Sequence, residues 1–98
     1  MKKDSTSKIK KEITFFEENE VRRTWHDEQW YFVIEDIVRV LVESNDPKQY
    51  IQRIKQRDDE LSQGWVQIVR TLDISTKGGL QVANCANLQG VFRIIQSI

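Results

Sequence analysis

Between Trp30 and Leu41 a run of aromatic and β-branched residues, Trp30 to Ile34, passes straight into apolar residues at helical spacing, Ile34, Ile37, Val38 and Leu41. No Gly, Pro, Asn or Ser interrupts the change of period. A strand therefore feeds a helix directly, and the fold has to place a sheet and a helix around one core. Glu35 and Asp36 occupy the first helical turn, where carboxylates interact favourably with the helix dipole.

The rest of the chain extends this pattern in both directions. Upstream, Ile13 to Glu17 and Val21 to Trp25 are further β-rich runs, bounded by Glu18-Asn19-Glu20 and His26-Asp27-Glu28-Gln29. Together with Trp30 to Ile34 they predict an antiparallel meander with strands near 13–17, 21–25 and 30–34. A first helix is expected over 35–43. Asp46 then offers an N-cap oxygen, Pro47 sits where a missing N–H costs nothing, and Gln49 completes a capping box, which starts a second helix over 47–59. Its apolar side carries Tyr50, Ile51, Ile54 and Leu61, and its other side Gln49, Gln52, Arg53, Lys55 and Gln56, with Lys48 at the edge.

Asp58-Asp59-Glu60 and Gly64 mark an end to that helix, and the alternation from Trp65 to Leu72 predicts a strand over 66–72. Thr76-Lys77-Gly78-Gly79 supplies a turn, with a return strand over 80–83. Leu88, Val91, Phe92, Ile95 and Ile98 then keep helical spacing, with Asn84 or Asn87 available as cap, and predict a last helix over 87–97. The expected class is α+β: an antiparallel β-meander and a second β-hairpin with about three α-helices. Ile37, Val38, Leu41, Ile54, Val91, Phe92 and Ile95 are the expected core.

Ninety-eight residues suffice for one domain, because a second would leave neither half enough apolar surface to bury. Residues 1–11 read as a disordered basic tail, since the first twelve residues hold five Lys, three Ser or Thr and almost nothing apolar. The domain is expected over 12–98. Helical spacing runs to Ile98 without a C-cap signal, so the domain is expected to continue in a longer parent protein.

Chemistry finds few footholds here. His26 has no second His or Cys at metal-ligand spacing, and it falls in a predicted turn. Cys85, the one cysteine, lies between Ala83 and Ala86 as a small buried residue would. Glu35 and Asp36 are adjacent on a helix and so face different ways. Gly78-Gly79 lacks the flanking pattern of a phosphate loop. No catalytic residue, metal or cofactor is expected, and the chain reads as a binding module. With one cysteine and no apolar run of membrane-spanning length, the expected compartment is the cytoplasm.

Fifteen basic and fifteen acidic side chains cancel, so any attraction for a polyanion has to be local. The local candidates are Arg22 and Arg23 on a strand, Lys48, Gln52, Arg53 and Lys55 on the second helix, and Lys77 at a hairpin tip. Such side chains meet phosphates or base edges, and they are equally ordinary on a solvated helix.

Three segments resemble one family. Val21 to Val38, with Val21-Arg22-Arg23-Thr24-Trp25 leading to Trp30-Tyr31-Phe32-Val33-Ile34-Glu35-Asp36, is similar to the opening of the Bro-N domain of viral Bro proteins, phage antirepressors and relatives of bacterial DNA-damage-inducible protein D. Asp46-Pro47-Lys48-Gln49-Tyr50 resembles the start of that family's second helix, and Asn87 to Ile98 its glycine-containing last helix. The family's turn glycine is missing at Asp27-Glu28. The resemblance implies a DNA-binding regulatory domain of a phage or prophage antirepressor-like protein, acting in transcription regulation. The alternative it leaves open is a protein-interaction module that grips a repressor, or a second copy of itself as a homodimer, without touching DNA. No membrane partner is expected.

Overall fold

The computed structural model describes residues 20–98, and the predicted tail and the predicted strand over 13–17 lie outside them. Four strands and four helices follow in the order β1 (Arg23–His26), β2 (Gln29–Val33), α1 (Ile34–Val42), α2 (Pro47–Arg57), α3 (Asp59–Ile68), β3 (Arg70–Thr76), β4 (Gly79–Asn87) and α4 (Leu88–Ile95). The strands form one antiparallel sheet in the order β1-β2-β4-β3. The class is α+β as expected, with one helix more than the sequence pattern indicated.

β2 runs into α1 without a linker, Val33 serving as both last strand residue and N-cap. Because side chains alternate along a strand, Trp30 and Phe32 face the helices while Tyr31 and Val33 face the other way. The helix side holds the main core: Phe32 and Ala86, opposite each other in the sheet, with Ile34, Ile37, Val38, Ile51, Ile54, Leu61, Val91 and Ile94. The other side holds Tyr31, Val33, Ile74 and Cys85, with Leu72 and Ala83 against them. The sheet curls, so that the outer strands β1 and β3 approach each other along Trp25, His26, Leu72 and Asp73. Burial pushes the Cys85 thiol up to about 11, consistent with a small apolar-like residue.

The largest departure from the sequence pattern is at 59–68. The segment Trp65 to Ile68, read as strand, is the last turn of α3, and β3 starts only at Arg70. Asp58 is the reason. Its backbone N–H closes α2 on the Ile54 carbonyl at 2.9 Å, while its carboxylate accepts from the Leu61 N–H at 3.0 Å and so starts a new helix. Leu61, Trp65 and Ile68 then recur at helical spacing toward the core, which outweighs the roughly 1 kcal/mol that Gly64 costs inside a helix. The same carboxylate accepts from Ser97 Oγ at 2.5 Å and pairs with Arg93 at 3.3 Å, so the C-terminal end of α4 hangs on the α2–α3 junction.

β4 is also longer than the predicted 80–83, because Cys85 and Ala86 are small enough to pair with Val33 and Phe32 in the middle of the sheet. β2, the last strand of the expected meander, is therefore a central strand, with β1 on one side as expected and β4 on the other. Three expected core residues move outward. Leu41 is 39% exposed, one turn past the last position that the core covers, and Phe92 and Ile95 are half-buried, Ile95 packing against the edge of the core, whereas Ile94 is enclosed.

Two more features set the shape. The β1–β2 turn places both Asp27 (φ 50°) and Glu28 (φ 63°) in the left-handed region, the hairpin geometry that normally calls for Asn-Gly. At Gly90 an added Cβ would stand 3.0 Å from the Ala86 Cβ and 3.1 Å from the Ile68 carbonyl oxygen, so α4 crosses β4 and the end of α3 at backbone contact.

The strongest polar tie joins the approach to β1 with α1. Asp36, buried in the first turn of α1, accepts the Arg22 backbone N–H at 2.9 Å, its Nε at 2.8 Å and its Nη2 at 3.1 Å, while the Arg22 carbonyl accepts from the Val33 N–H at 2.9 Å. The carboxylate holds the Arg22 guanidinium above its ordinary pKa through that hydrogen bond.

Four outcomes are expected in chemical or thermal melts. Ile94→Ala should cost about 2–5 kcal/mol and Phe92→Ala about 1–2 kcal/mol, an order opposite to the one sequence spacing suggests. Arg22→Ala should cost about 2–3 kcal/mol, Asp36→Ala no more than that, and the double variant less than their sum, since Arg22→Ala leaves a buried carboxylate without its main partner. Glu28→Gly should stabilise by about 1 kcal/mol by relieving a left-handed non-glycine residue. Asp58 is held below the ordinary carboxylate range, chiefly by the Ser97 hydroxyl and then the Leu61 N–H. Its stabilisation is therefore complete above the unfolded value near 4 and fades as pH falls through the lower folded value. An Asp58→Asn variant should show a shallower stability loss than the parent below about pH 4.

Candidate nucleic-acid interface

A cleft of about 660 Å³ opens where four elements meet: Ile34 and Glu35 of α1, Lys48, Gln49, Ile51, Gln52 and Lys55 of α2, Trp65 of α3 and Asn84 of β4, with Asp46 at the α2 cap. Each wall has a local cause. The strand-to-helix fusion fixes Ile34 and Glu35 relative to the sheet. On α2, Ile51 and Ile54 face inward, which turns the long polar side chains at 48, 49, 52 and 55 toward the cleft and its rim. The Asp46 carboxylate accepts from the Gln49 N–H at 3.2 Å and fixes where that helix begins. Trp65 is half-buried, and the Lys55 ammonium sits 4.7 Å from its ring centroid, a cation–π contact that anchors the lysine.

The floor is aliphatic and the rim polar. Lys48 and Lys55 are matched by Glu35 and Asp46, so the lining carries two charges of each sign. Among the described residues no hydrogen bond engages the side chains of Lys48, Gln49, Gln52 or Glu35, whereas the Asn84 Oδ1 accepts from the Thr71 hydroxyl at 3.0 Å.

The residues singled out in the sequence divide into three groups. Lys48, Gln52 and Lys55 come together at this cleft. Arg53 is exposed on α2 outside the cleft lining, and Lys77 stands exposed at the β3–β4 turn. Arg22 and Arg23 lie on the β1 side, where both are engaged: Arg22 holds Asp36 and extends Nη1 to within 3.4 Å of Gln81 Oε1, and Arg23 lies 4.5 Å over the Trp30 ring. The gathering of cations is therefore on α2.

Sequence reasoning missed Glu35, Trp65 and Asn84 as members of one site. Glu35 reads as a helix-dipole residue, Trp65 as strand core and Asn84 as a helix cap; the cap is Asn87, whose side chain accepts from the Gly90 N–H at 2.9 Å. Only the Asp58 cap, by making 59–68 a helix, could have brought Trp65 beside Lys55.

His26, at the end of β1, packs its ring edge-on to Tyr31 at 5.6 Å, with Nε2 3.4 Å from Asp27. Among the described residues no three His, Cys, Asp or Glu side chains cluster as a metal would require, and no helix is long and apolar enough to cross a membrane.

Comparison with curated proteins and with solved structures gives no match. The family model described as BRO family, N-terminal domain, matches residues 20–98, the same stretch that forms the curled sheet and its helices. The chain thus belongs to the BRO family, whose N-terminal domain it carries over residues 20–98.

Proposed function

We propose that this domain acts by binding rather than by chemistry, as the DNA-contacting part of a phage or prophage antirepressor-like regulator. The observation that carries this reading is the concentration of Lys48, Gln52 and Lys55 around one cleft, with Arg53 on the same helix. Membership in the BRO family supports it. The capped start of α2 holds these side chains in register, and their long stems let the charges follow a phosphate backbone. Lys77, at the tip of the long β3–β4 hairpin, supplies a further cation at a distance from α2.

A second reading has its own observation. Leu80 is 72% and Val82 68% exposed on one face of β4, and Val66 is 83% exposed on α3. Exposed aliphatic side chains of this kind suit a protein partner, a repressor or a second copy, better than they suit phosphates.

The two readings separate in one titration of duplex DNA at several salt concentrations. DNA binding predicts affinity that falls as salt rises. The triple variant Lys48→Ala, Arg53→Ala, Lys55→Ala should stay folded, because the Ile51 and Ile54 side of α2 is untouched. Its log-affinity against log-salt slope should flatten by about 0.9 for each phosphate that these cations no longer neutralise. If the triple variant keeps the parent's affinity and slope, α2 is not the contact surface. If the parent binds no DNA at low salt, the protein-partner reading takes its place.

A further inference from the structure

We propose that the cleft between α1, α2, α3 and β4 receives a single unpaired nucleobase that carries an exocyclic amine, with Glu35 accepting the amine and the α2 amides bonding its ring edge. This rests on the DNA-binding reading above and names which part of the nucleic acid enters the site.

The cleft's volume, about 660 Å³, lies within the roughly 300–1,000 Å³ of small-ligand sites. Its charge decides what it takes. A phosphate placed inside would meet the carboxylates of Glu35 and Asp46 as well as the ammonium groups of Lys48 and Lys55, so the lining carries no net charge that favours an anion. A base is neutral, flat and rimmed by donors and acceptors. The lining answers each property: the Ile34 and Ile51 floor and the Trp65 indole offer apolar surface, and Gln49, Gln52 and Asn84 offer donors together with acceptors. The Gln49 and Gln52 side chains have no hydrogen-bond partner among the described residues, and the Asn84 Nδ2 donates to none of them. They are therefore available to a ligand.

Glu35 adds selectivity. Its carboxylate accepts and cannot donate, so it favours the exocyclic amino group of cytosine, adenine or guanine, with two N–H donors, over thymine, whose single ring N–H is flanked by two carbonyls that repel a carboxylate. A base in a duplex stays in its stack and cannot enter a concave site, so the base has to be unpaired or turned out. Its flanking phosphates would remain outside, within reach of Lys48 and Lys55 at the rim.

The test measures the full 98-residue chain, at one moderate salt concentration, against twelve-nucleotide oligo(dA), oligo(dC) and oligo(dT) and a twelve-base-pair duplex, by fluorescence anisotropy. Oligo(dA) and oligo(dC) should bind about tenfold more tightly than oligo(dT), the fold-change of one specific base contact. Glu35→Ala should bring the three single strands to similar affinity, whereas Gln52→Ala should weaken oligo(dA) and oligo(dC) several-fold and leave them ahead of oligo(dT). Both variants should melt near the parent temperature, since neither side chain supports the core. Equal binding of all three single strands by the parent, or undiminished discrimination in folded Glu35→Ala, would overturn the base site. If duplex still binds in that case, the DNA-binding reading survives alone. If no nucleic acid binds, both fall together.

Discussion

The hydrogen-bonded pairing of Arg22 with Asp36 fixes the relation between sheet and helices on which everything else depends. Asp36 is a charged group taken out of water, and such a group is tolerated only where its lone pairs are satisfied. Three donors of one residue satisfy it, two from a rigid guanidinium fork and one from the backbone. Since the Arg22 carbonyl also takes the Val33 N–H, the chain entering β1, the end of β2 and the first turn of α1 are set at one point. Hydrophobic burial supplies most of the driving force for the fold, but apolar surfaces slide and rotate at little cost. The ion pair permits one arrangement, and that arrangement puts Glu35 at the mouth of the cleft.

A second polar centre has the same effect at the far end. Asp58 ends α2, starts α3 and holds Arg93 and Ser97, so one carboxylate decides both the length of α2 and the place of α4. With α2 ended at Arg57, α3 can fold back and set Trp65 against Lys55. The candidate site thus depends on two carboxylates that take no direct part in it.

Much of the architecture was legible in the sequence because it is written in local periodicity and capping. The β2–α1 fusion, the Asp46-Pro47 start of α2, the hairpin at Lys77-Gly78 and the last helix all follow from neighbours within a few residues. What was hidden depends on distant partners. Asp58 reads as part of an acidic stop signal until its carboxylate is seen to cap the next helix, and Trp65 to Ile68 satisfy a strand pattern as well as a helical one over so short a stretch. Phe92 and Ile94 lie on nearly opposite sides of α4, so only one can face the core, and the close approach of that helix to β4 and α3 on its Gly90 side gives the place to Ile94. For the site, the cations of α2 were visible, whereas the carboxylate, indole and asparagine that complete it come from residues up to 49 positions apart, Glu35 to Asn84, and share no local signature.

The direct passage of β2 into α1 also governs which parts of the cleft can yield. Ile34 and Glu35 are continuous with a central strand paired on both sides, and Asn84 belongs to the other central strand, so these walls are stationary. α2 follows α1 through residues 43–46, a link that starts with Glu43 in the left-handed region and ends at the Asp46 cap, and it is held to the core by Ile51 and Ile54. The cleft therefore has one wall built into the sheet and one made of long side chains on a packed helix, so Lys48, Gln49 and Gln52 can adjust to an occupant by changing rotamer while the backbone that carries Glu35 stays where it is.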